Sequence, residues 1–183
     1  MARRIVAGLF MSLDGICDNP GMWSMPYFNE QVGEIIGSAM QGSDCMLLGR
    51  QTYEEWAGYW PGKTVEDDPF ADYINTVRKY VVSTTLREPL TWQGSELVTG
   101  TDQVEKLKQE EGRDIAISGS LTLVGSLLKG GLLDELSLLV SPIAVGRGKR
   151  LFEGEKRVPL ALLESRTLDN GVLHLRYAPA GAR

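Results

Sequence analysis

Residues 114–128, DIAISGSLTLVGSLL, decide how the rest of the chain is arranged. Ile115, Ala116 and Ile117 form a short apolar run behind the charged Gly112-Arg113-Asp114. Its length and β-branched content suit a strand buried on both faces. Ser118-Gly119-Ser120 then turns the chain, and Leu121, Leu123, Val124, Leu127 and Leu128 recur at helical spacing. A strand that passes through a small-residue turn into a helix leaves the first N–H groups of that helix without intrahelical partners. Those groups and the helix dipole favour an anion, most often phosphate, and the glycine keeps the backbone accessible to it. The plainer alternative is a capped helix with Ser120 as N-cap. A second turn of the same kind, Met46-Leu47-Leu48-Gly49-Arg50-Gln51-Thr52, adds weight to the anion reading.

Around this centre the chain alternates strands and helices. Ile5-Val6-Ala7-Gly8-Leu9-Phe10-Met11 is nearly continuous in apolar residues and reads as a central strand, ended by Ser12-Leu13-Asp14-Gly15. The segment 16–26 mixes turn formers with Met22, Trp23 and Met25, so it either packs back on the core or covers a ligand. Phe28, Val32, Ile35, Ile36, Ala39 and Met40 predict a helix over 27–41, turning Glu30 towards solvent. Strands follow at 44–48 and 80–83, with helices opening at Gly49 and at Asp67-Asp68-Pro69 between them. Glu96-Leu97-Val98 reads as a short strand, and 101–111 as a helix capped by Thr101 or Asp102. The run 133–140 reads as a strand apolar on both faces. Residues 146–152, GRGKRLF, form a loop that can grip a phosphate, shape a subunit contact or be a plain basic turn. Segments 160–167 and 172–177 flank Asp169-Asn170-Gly171, a strong hairpin signal, with His174 in an outward position. The expectation is one α/β domain over 1–183: a mixed, mostly parallel sheet flanked by helices, ending in an antiparallel hairpin.

Composition narrows the function. The 183 residues are 43% hydrophobic, enough for one well-buried core, and the net charge of −5 argues against a nucleic-acid surface. Cys17 and Cys45 have no metal-like spacing and read as small buried hydrophobes in a reducing compartment. One histidine, His174, makes a His-based metal site or a Ser-His-Asp triad unsuited to this chain, and no metal is expected. With no signal peptide or membrane span, the expectation is a cytoplasmic protein without membrane or nucleic-acid partners.

Three strand ends carry small polar groups: Gly49-Arg50-Gln51-Thr52, Ser83-Thr84-Thr85 and Ser118-Gly119-Ser120. Ligands of open α/β sheets sit outside the carboxyl ends of the strands. Two helix N-termini and a hydroxyl-rich turn match the pyrophosphate and separate 2′-phosphate of NADPH, although no GxGxxG or P-loop pattern is present. LLGRQTYEEW, YVVSTTL and ISGSLTLVGSLL, in this order, resemble the three cofactor segments of the dihydrofolate reductase fold. MSLDG and LLDELSLLVSPIAVGRGKRLF are similar to the branch that contains the reductase domain of bacterial riboflavin biosynthesis, the RibD C-terminal-like proteins, as a stand-alone member. The resemblance spans residues 4–177.

The resemblance implies NADPH-dependent reduction of a pteridine-, pyrimidine- or imine-like small molecule. Gly49, Arg50 and Thr52 would bind one side of the cofactor phosphates. Ser83, Thr84 and Thr85 would receive the 2′-phosphate, with Arg87 adding charge. Ser118, Gly119, Ser120, Leu121 and Thr122 would lie under the pyrophosphate. On the substrate side, Trp23-Ser24-Met25-Pro26 resembles the tryptophan-x-leucine-proline segment of true dihydrofolate reductases. Counting on from its proline puts Phe28 where the folate-binding acid belongs, and phenylalanine cannot hold an amidine edge. Asp14, ending a central strand, is the candidate catalytic acid; its alternative is an Asx turn before Gly15. Two further readings are the riboflavin-pathway 5-amino-6-(ribosylamino)uracil phosphate reductase, which usually accompanies a deaminase domain, and a nucleotide binder without turnover. The resemblance and the apolar 133–140 strand both point to a homodimer, with the late strands and the loop 142–152 at or near the contact.

Overall fold

A computed structural model describes residues 2–153 and 157–181. In chain order the strands and helices are β1 (Ile5–Ser12), α1 (Glu30–Gly42), β2 (Ser43–Gly49), α2 (Arg50–Tyr59), α3 (Ala71–Thr76), β3 (Arg78–Val82), β4 (Ser95–Val98), α4 (Thr101–Gln109), β5 (Asp114–Ser118), α5 (Leu121–Gly130), β6 (Glu135–Ser141), β7 (Leu160–Thr167) and β8 (Leu173–Pro179). The eight strands form one sheet in the order β4-β3-β2-β5-β1-β6-β8-β7. All pairings from β4 to β6 are parallel, and β8 lies antiparallel to both β6 and β7. The expected mostly parallel sheet with a terminal antiparallel hairpin is what the chain forms.

The two faces of the sheet are packed differently. On one, Ile5, Ala7, Leu9, Leu47, Ile115, Ile117, Leu136 and Leu138 join Val104 and Leu107 of α4 and Val124, Leu127 and Leu128 of α5 in one core. Each of these large side chains contributes roughly 1.5–3 kcal/mol by leaving water. The opposite face carries two separate clusters. Met46, Leu48 and Val81 pack with Tyr53, Trp60, Ile74 and Trp92, whereas Leu139 packs with Val32, Leu168 and Val172, flanked by Phe10, Ile35 and Ile36. Helix α1 reaches both, through Ile35 and Ile36 at one end and Met40 at the other.

Several sequence expectations shift. Helix α1 starts at Glu30, three residues late, because the Asn29 side chain accepts from Val32 N and caps it, while 25–27 form a separate 3-10 turn. The aspartates 67 and 68 close turns onto Thr64 and Phe70, and α3 begins only at Ala71. Helix α4 is preceded by Gly100, so neither Thr101 nor Asp102 caps it. Strand β6 is apolar on one face only: Leu136 and Leu138 enter the first core, but the alternate positions are Glu135, Ser137, Leu139 and Ser141. His174 is buried, not outward. Both cysteines are buried and free.

Lys79 of β3 is fully buried. Its Nζ donates to the carbonyls of Asn75, Val77 and Gln93 at 3.1, 2.8 and 3.4 Å and stands 4.4 Å from the centre of the Trp92 ring. Loss of hydration pushes its pKa down to about 8. Between pH 8 and the ordinary lysine range, the unfolded chain therefore holds a proton that the folded chain has released, and the Lys79 contribution to stability rises with pH. Below pH 8 that contribution is flat. Comparing the melting temperatures of wild type and Lys79→Met from pH 7 to 10 should show wild type gaining on the variant only above pH 8. A constant difference would mean that Lys79 stays charged throughout.

Candidate cofactor and substrate site

The turns after β2 and β5 are clipped together at the carboxyl edge of the sheet. Gly49 N donates to Ser120 Oγ at 2.9 Å, and Ser120 N donates to Thr52 Oγ1 at 3.0 Å. Gly119 and Ser120 both adopt left-handed backbone, with φ of 61° and 52°. A Cβ on Gly119 would stand 3.4 Å from the Thr52 side chain, so glycine serves here both conformation and contact. Ser120 holds the N-cap position of α5, yet its hydroxyl does not cap that helix, because it is spent on Gly49. Helix α2 begins after Gly49, which has no side chain to cap with. Two helix N-termini thus stand side by side without side-chain caps, a ready anion cradle.

The remaining cofactor candidates gather beside it. Gly49 pairs in register with Val82, which places Ser83 at the neighbouring strand end. Ser83 Oγ accepts from Thr85 N and Leu86 N, forming a hydroxyl-stabilised turn that leaves Thr84 and Thr85 exposed. Arg87 is exposed, its guanidinium resting on the carbonyls of Thr84 and Leu86. Arg50 is exposed and pairs with Glu54. Lys149 Nζ lies 3.4 Å from Gln51 Oε1, so the GRGKRLF loop brings a cation to the first turn of α2, a placement that sequence reading left open.

Asp14 is differently employed. One carboxylate oxygen accepts from Ser12 Oγ at 2.6 Å and Val145 N at 3.0 Å, and the other accepts from Gly146 N at 2.8 Å. The Ser12 hydroxyl, then the two amides, pull its pKa down to about 2. This carboxylate fastens the loop after β6 to the loop after β1 and carries no proton near neutrality. Trp23 is buried and donates from Nε1 to Asp18 O at 3.0 Å within its own loop. Phe28 is partly exposed, 3.8 Å from where a Gly33 Cβ would stand. Glu30 and Glu34 are both exposed.

The two clusters of the second face leave the sheet uncovered between them at Gly8, and this gap forms a shallow cleft. Its floor is β1 and β5: Val6 pairs with Ala116, and Gly8 with Ser118. Gly8 is exposed although β1 is a central strand, and nothing lies within 4 Å of the place where its Cβ would be. On the other side Gly8 pairs with Ser137, whose Oγ is 2.9 Å from Nε2 of His174. Sequence reading singled out neither Gly8 nor Ser137, and took His174 for an outward strand residue. The available signal was the glycine interrupting the apolar β1 run.

A phosphate-bearing cofactor fits this edge: two uncapped helix starts face outward, Gly119 removes the Cβ that would crowd them, and Arg50, Lys149 and Arg87 supply charge. The architecture is dihydrofolate reductase-like. Residues 3–174 match the model of the RibD C-terminal domain, and the chain belongs to that family. It is 28% identical over 185 residues to the uncharacterized protein YyaP of Bacillus subtilis (strain 168), covering 96% of this chain and 94% of that one. Among solved structures it resembles a Shewanella sp. PV-4 protein provisionally assigned to riboflavin biosynthesis, with TM-score 0.75, 23% identity and 98% and 99% of the two chains covered. Dihydrofolate reductase from Enterococcus faecalis, solved with NADP(H), superimposes with TM-score 0.64 at 12% identity, over 98% and 99% of the chains. A reductase-type function is what this family and fold support.

Because a Cβ at position 8 would meet nothing within 4 Å and φ there is not positive, Gly8→Leu should fold normally, with stability within about 0.5 kcal/mol of wild type. Ser120→Ala strands the Gly49 N–H and should cost about 1 kcal/mol. Denaturant melts of both variants check this, and a large loss in Gly8→Leu would show that the cleft is closed in solution.

Proposed function

We propose that this protein is an NADPH-dependent reductase of a small pteridine-, pyrimidine- or imine-like molecule. The observation that carries the reading is the clip between Gly49, Thr52 and Ser120, which sets two uncapped helix N-termini beside the open floor at Gly8. Gly49, Arg50 and Thr52 on one side and residues 118–122 on the other would hold the pyrophosphate. Ser83, Thr84, Thr85 and Arg87 would take the 2′-phosphate. When bound, the reduced nicotinamide supplies hydride. The chain's own residues bind, orient and exclude water. Asp14 acts by position, holding the loop that carries Val145 and Gly146 against the site, and the proton accompanying reduction comes from water or another group. The buried free thiols suit a reducing, cytoplasmic location. A second reading, reduction of 5-amino-6-(ribosylamino)uracil phosphate, is favoured by Lys149 at the start of α2, next to the exposed Arg147 and Arg150.

Fluorescence titration should give tighter binding of NADPH than of NADH, and Arg87→Ala should reduce that preference by roughly tenfold, one charge-assisted contact. Equal affinity for the two cofactors in wild type would overturn the assignment. Steady-state NADPH oxidation with dihydrofolate should stay well below the usual range of kcat/KM, about 10⁴–10⁸ M⁻¹s⁻¹, because Phe28 replaces the acid. A value inside that range would show that another carboxylate has taken its place.

We also propose a homodimer, with the contact moved to the hairpin. Leu139 is buried against α1 and is not free for a partner. Leu162 and Leu163 on the edge strand β7 are 55% and 53% exposed, Leu173 on the adjoining β8 is 37% exposed, and Phe152 is 52% exposed. Leu162 pairs with Tyr177, and Leu163 is extruded where the β7–β8 register shifts. An isologous contact would cover these leucines twice over. Sedimentation equilibrium at micromolar concentration should show a dimer that Leu162→Arg dissociates into folded monomers; a wild-type monomer of 20.1 kDa would refute it.

A further inference from the structure

The floor of the cleft has a polar wall of which the cofactor reading uses only Ser118. Ser118, Gly8 and Ser137 lie abreast on β5, β1 and β6, all on the face that bears the cleft. Adjacent strands are roughly 4.8 Å apart, so two hydroxyl-bearing residues flank the empty glycine position across about 10 Å, the span of a single flat ring with its substituents. Burying polar groups in the middle of a sheet is costly unless they are matched. Ser137 is matched by His174, which is only 8% exposed and whose Nε2 lies 2.9 Å from the hydroxyl oxygen.

Burial favours the neutral form of His174, against charges of both signs around it. Arg166 is its direct partner on β7 and Leu139 its direct partner on β6. Glu164, Arg176 and Glu135 are the other ionised groups near it. Glu135 is held by Arg4 and Arg176, and Arg176 also by Glu164. Burial, the largest influence, lowers the imidazole pKa; Glu164 and Glu135 oppose it, while Arg176 and Arg166 add to it. A neutral imidazole has two tautomers. In one, Nε2 accepts the Ser137 proton and leaves Oγ free to accept from a ligand N–H. In the other, Nε2–H donates to Ser137 and leaves its O–H free for a ligand carbonyl or ring nitrogen. No free carboxylate stands among these residues, because both acids are already paired with arginine. The wall therefore suits a neutral edge with adjacent donor and acceptor, a cyclic amide, and not a cationic amidine.

We propose that Ser137, held and switched between donor and acceptor by His174, is the specificity-determining group of the substrate cleft, and that it recognises the neutral cyclic-amide edge of a planar heterocycle lying over Gly8. Ser137 touches the ligand; His174 acts through it as a positioning residue. The substrate class named here rests on the reductase reading, whereas the pair and the hollow do not.

The chain contains one histidine, so its imidazole NMR signals report on this site alone. With uracil as the probe and no cofactor present, millimolar uracil should shift the His174 signals. It should also lower the titration midpoint of the imidazole, since an occupied hollow excludes the water that would solvate the charged ring. By linkage, uracil affinity should fall as pH drops through that midpoint. His174→Gln should make the affinity independent of pH in the same range. Ser137→Ala should weaken uracil at least fivefold, Ser137→Thr should restore it, and Gly8→Leu should abolish it, with melting temperatures recorded for each. Unmoved His174 signals, or a Ser137→Ala variant that binds as wild type, would overturn the proposal. NADPH titration of the same samples separates the two claims: uracil binding without NADPH binding sinks the reductase reading and leaves the pair standing, and the reverse result sinks the pair alone.

Discussion

Parallel pairing of β1 between β5 and β6 is the constraint on which the rest depends. Strands that run parallel cannot be joined by tight turns, so each pair requires a crossover, and all the crossovers here but the β3–β4 loop carry helices. The same rule sends the carboxyl ends of β1 to β6 to one edge of the sheet. Everything assigned to ligand binding follows from that edge: the turn after β2, the turn after β3, the turn after β5 and the loop that Asp14 fastens. The N-terminal segment, first in sequence, becomes the middle of the sheet, and its Gly8 becomes the floor of a cleft.

The two faces of the sheet divide the work. One is a continuous apolar core under α4 and α5, and it supplies the burial that offsets the chain's conformational entropy. The other is split into two clusters bridged by α1, and the split leaves Gly8 of β1 exposed and Ser118 of β5 and Ser137 of β6 half-buried. A protein optimised for stability alone would fill the strip over Gly8. Similarly, Ser120 in left-handed backbone costs about 1 kcal/mol, a strain that the bonds to Gly49 and Thr52 offset and that aims two helix starts outward. Departures from the best packing and the best backbone thus sit at the proposed cofactor and substrate positions.

Sheet polarity, the helices and the C-terminal hairpin were legible in residues 4–177 because they rest on local signals: apolar periodicity, Gly and Pro punctuation, and Asn170-Gly171 between two strand runs. The turns at Gly49, at Ser83 and at residues 118–122 were legible for the same reason, since each is a strand exit written in consecutive small residues. Helix starts at α1 and α3 were misplaced by three or four residues, where a cap and a turn competed for the same polar side chains.

What the sequence by itself determined is the set of elements and the chemistry carried at each strand end. Tertiary structure alone decided which of those groups meet and what remains free. Ser120 looks like a helix cap until the β2 and β5 turns are brought together and its hydroxyl is taken by Gly49. Asp14 looks like an acid at a pocket mouth until two amides from residues 145 and 146, more than a hundred positions away, bind it and keep it ionised. His174 alternates as an outward strand residue, yet β6, β7 and the arginines around Glu135 bury it against Ser137. Local pattern specifies which way a side chain points along its own strand; whether that direction is solvent, core or cleft depends on strands contributed from the other end of the chain.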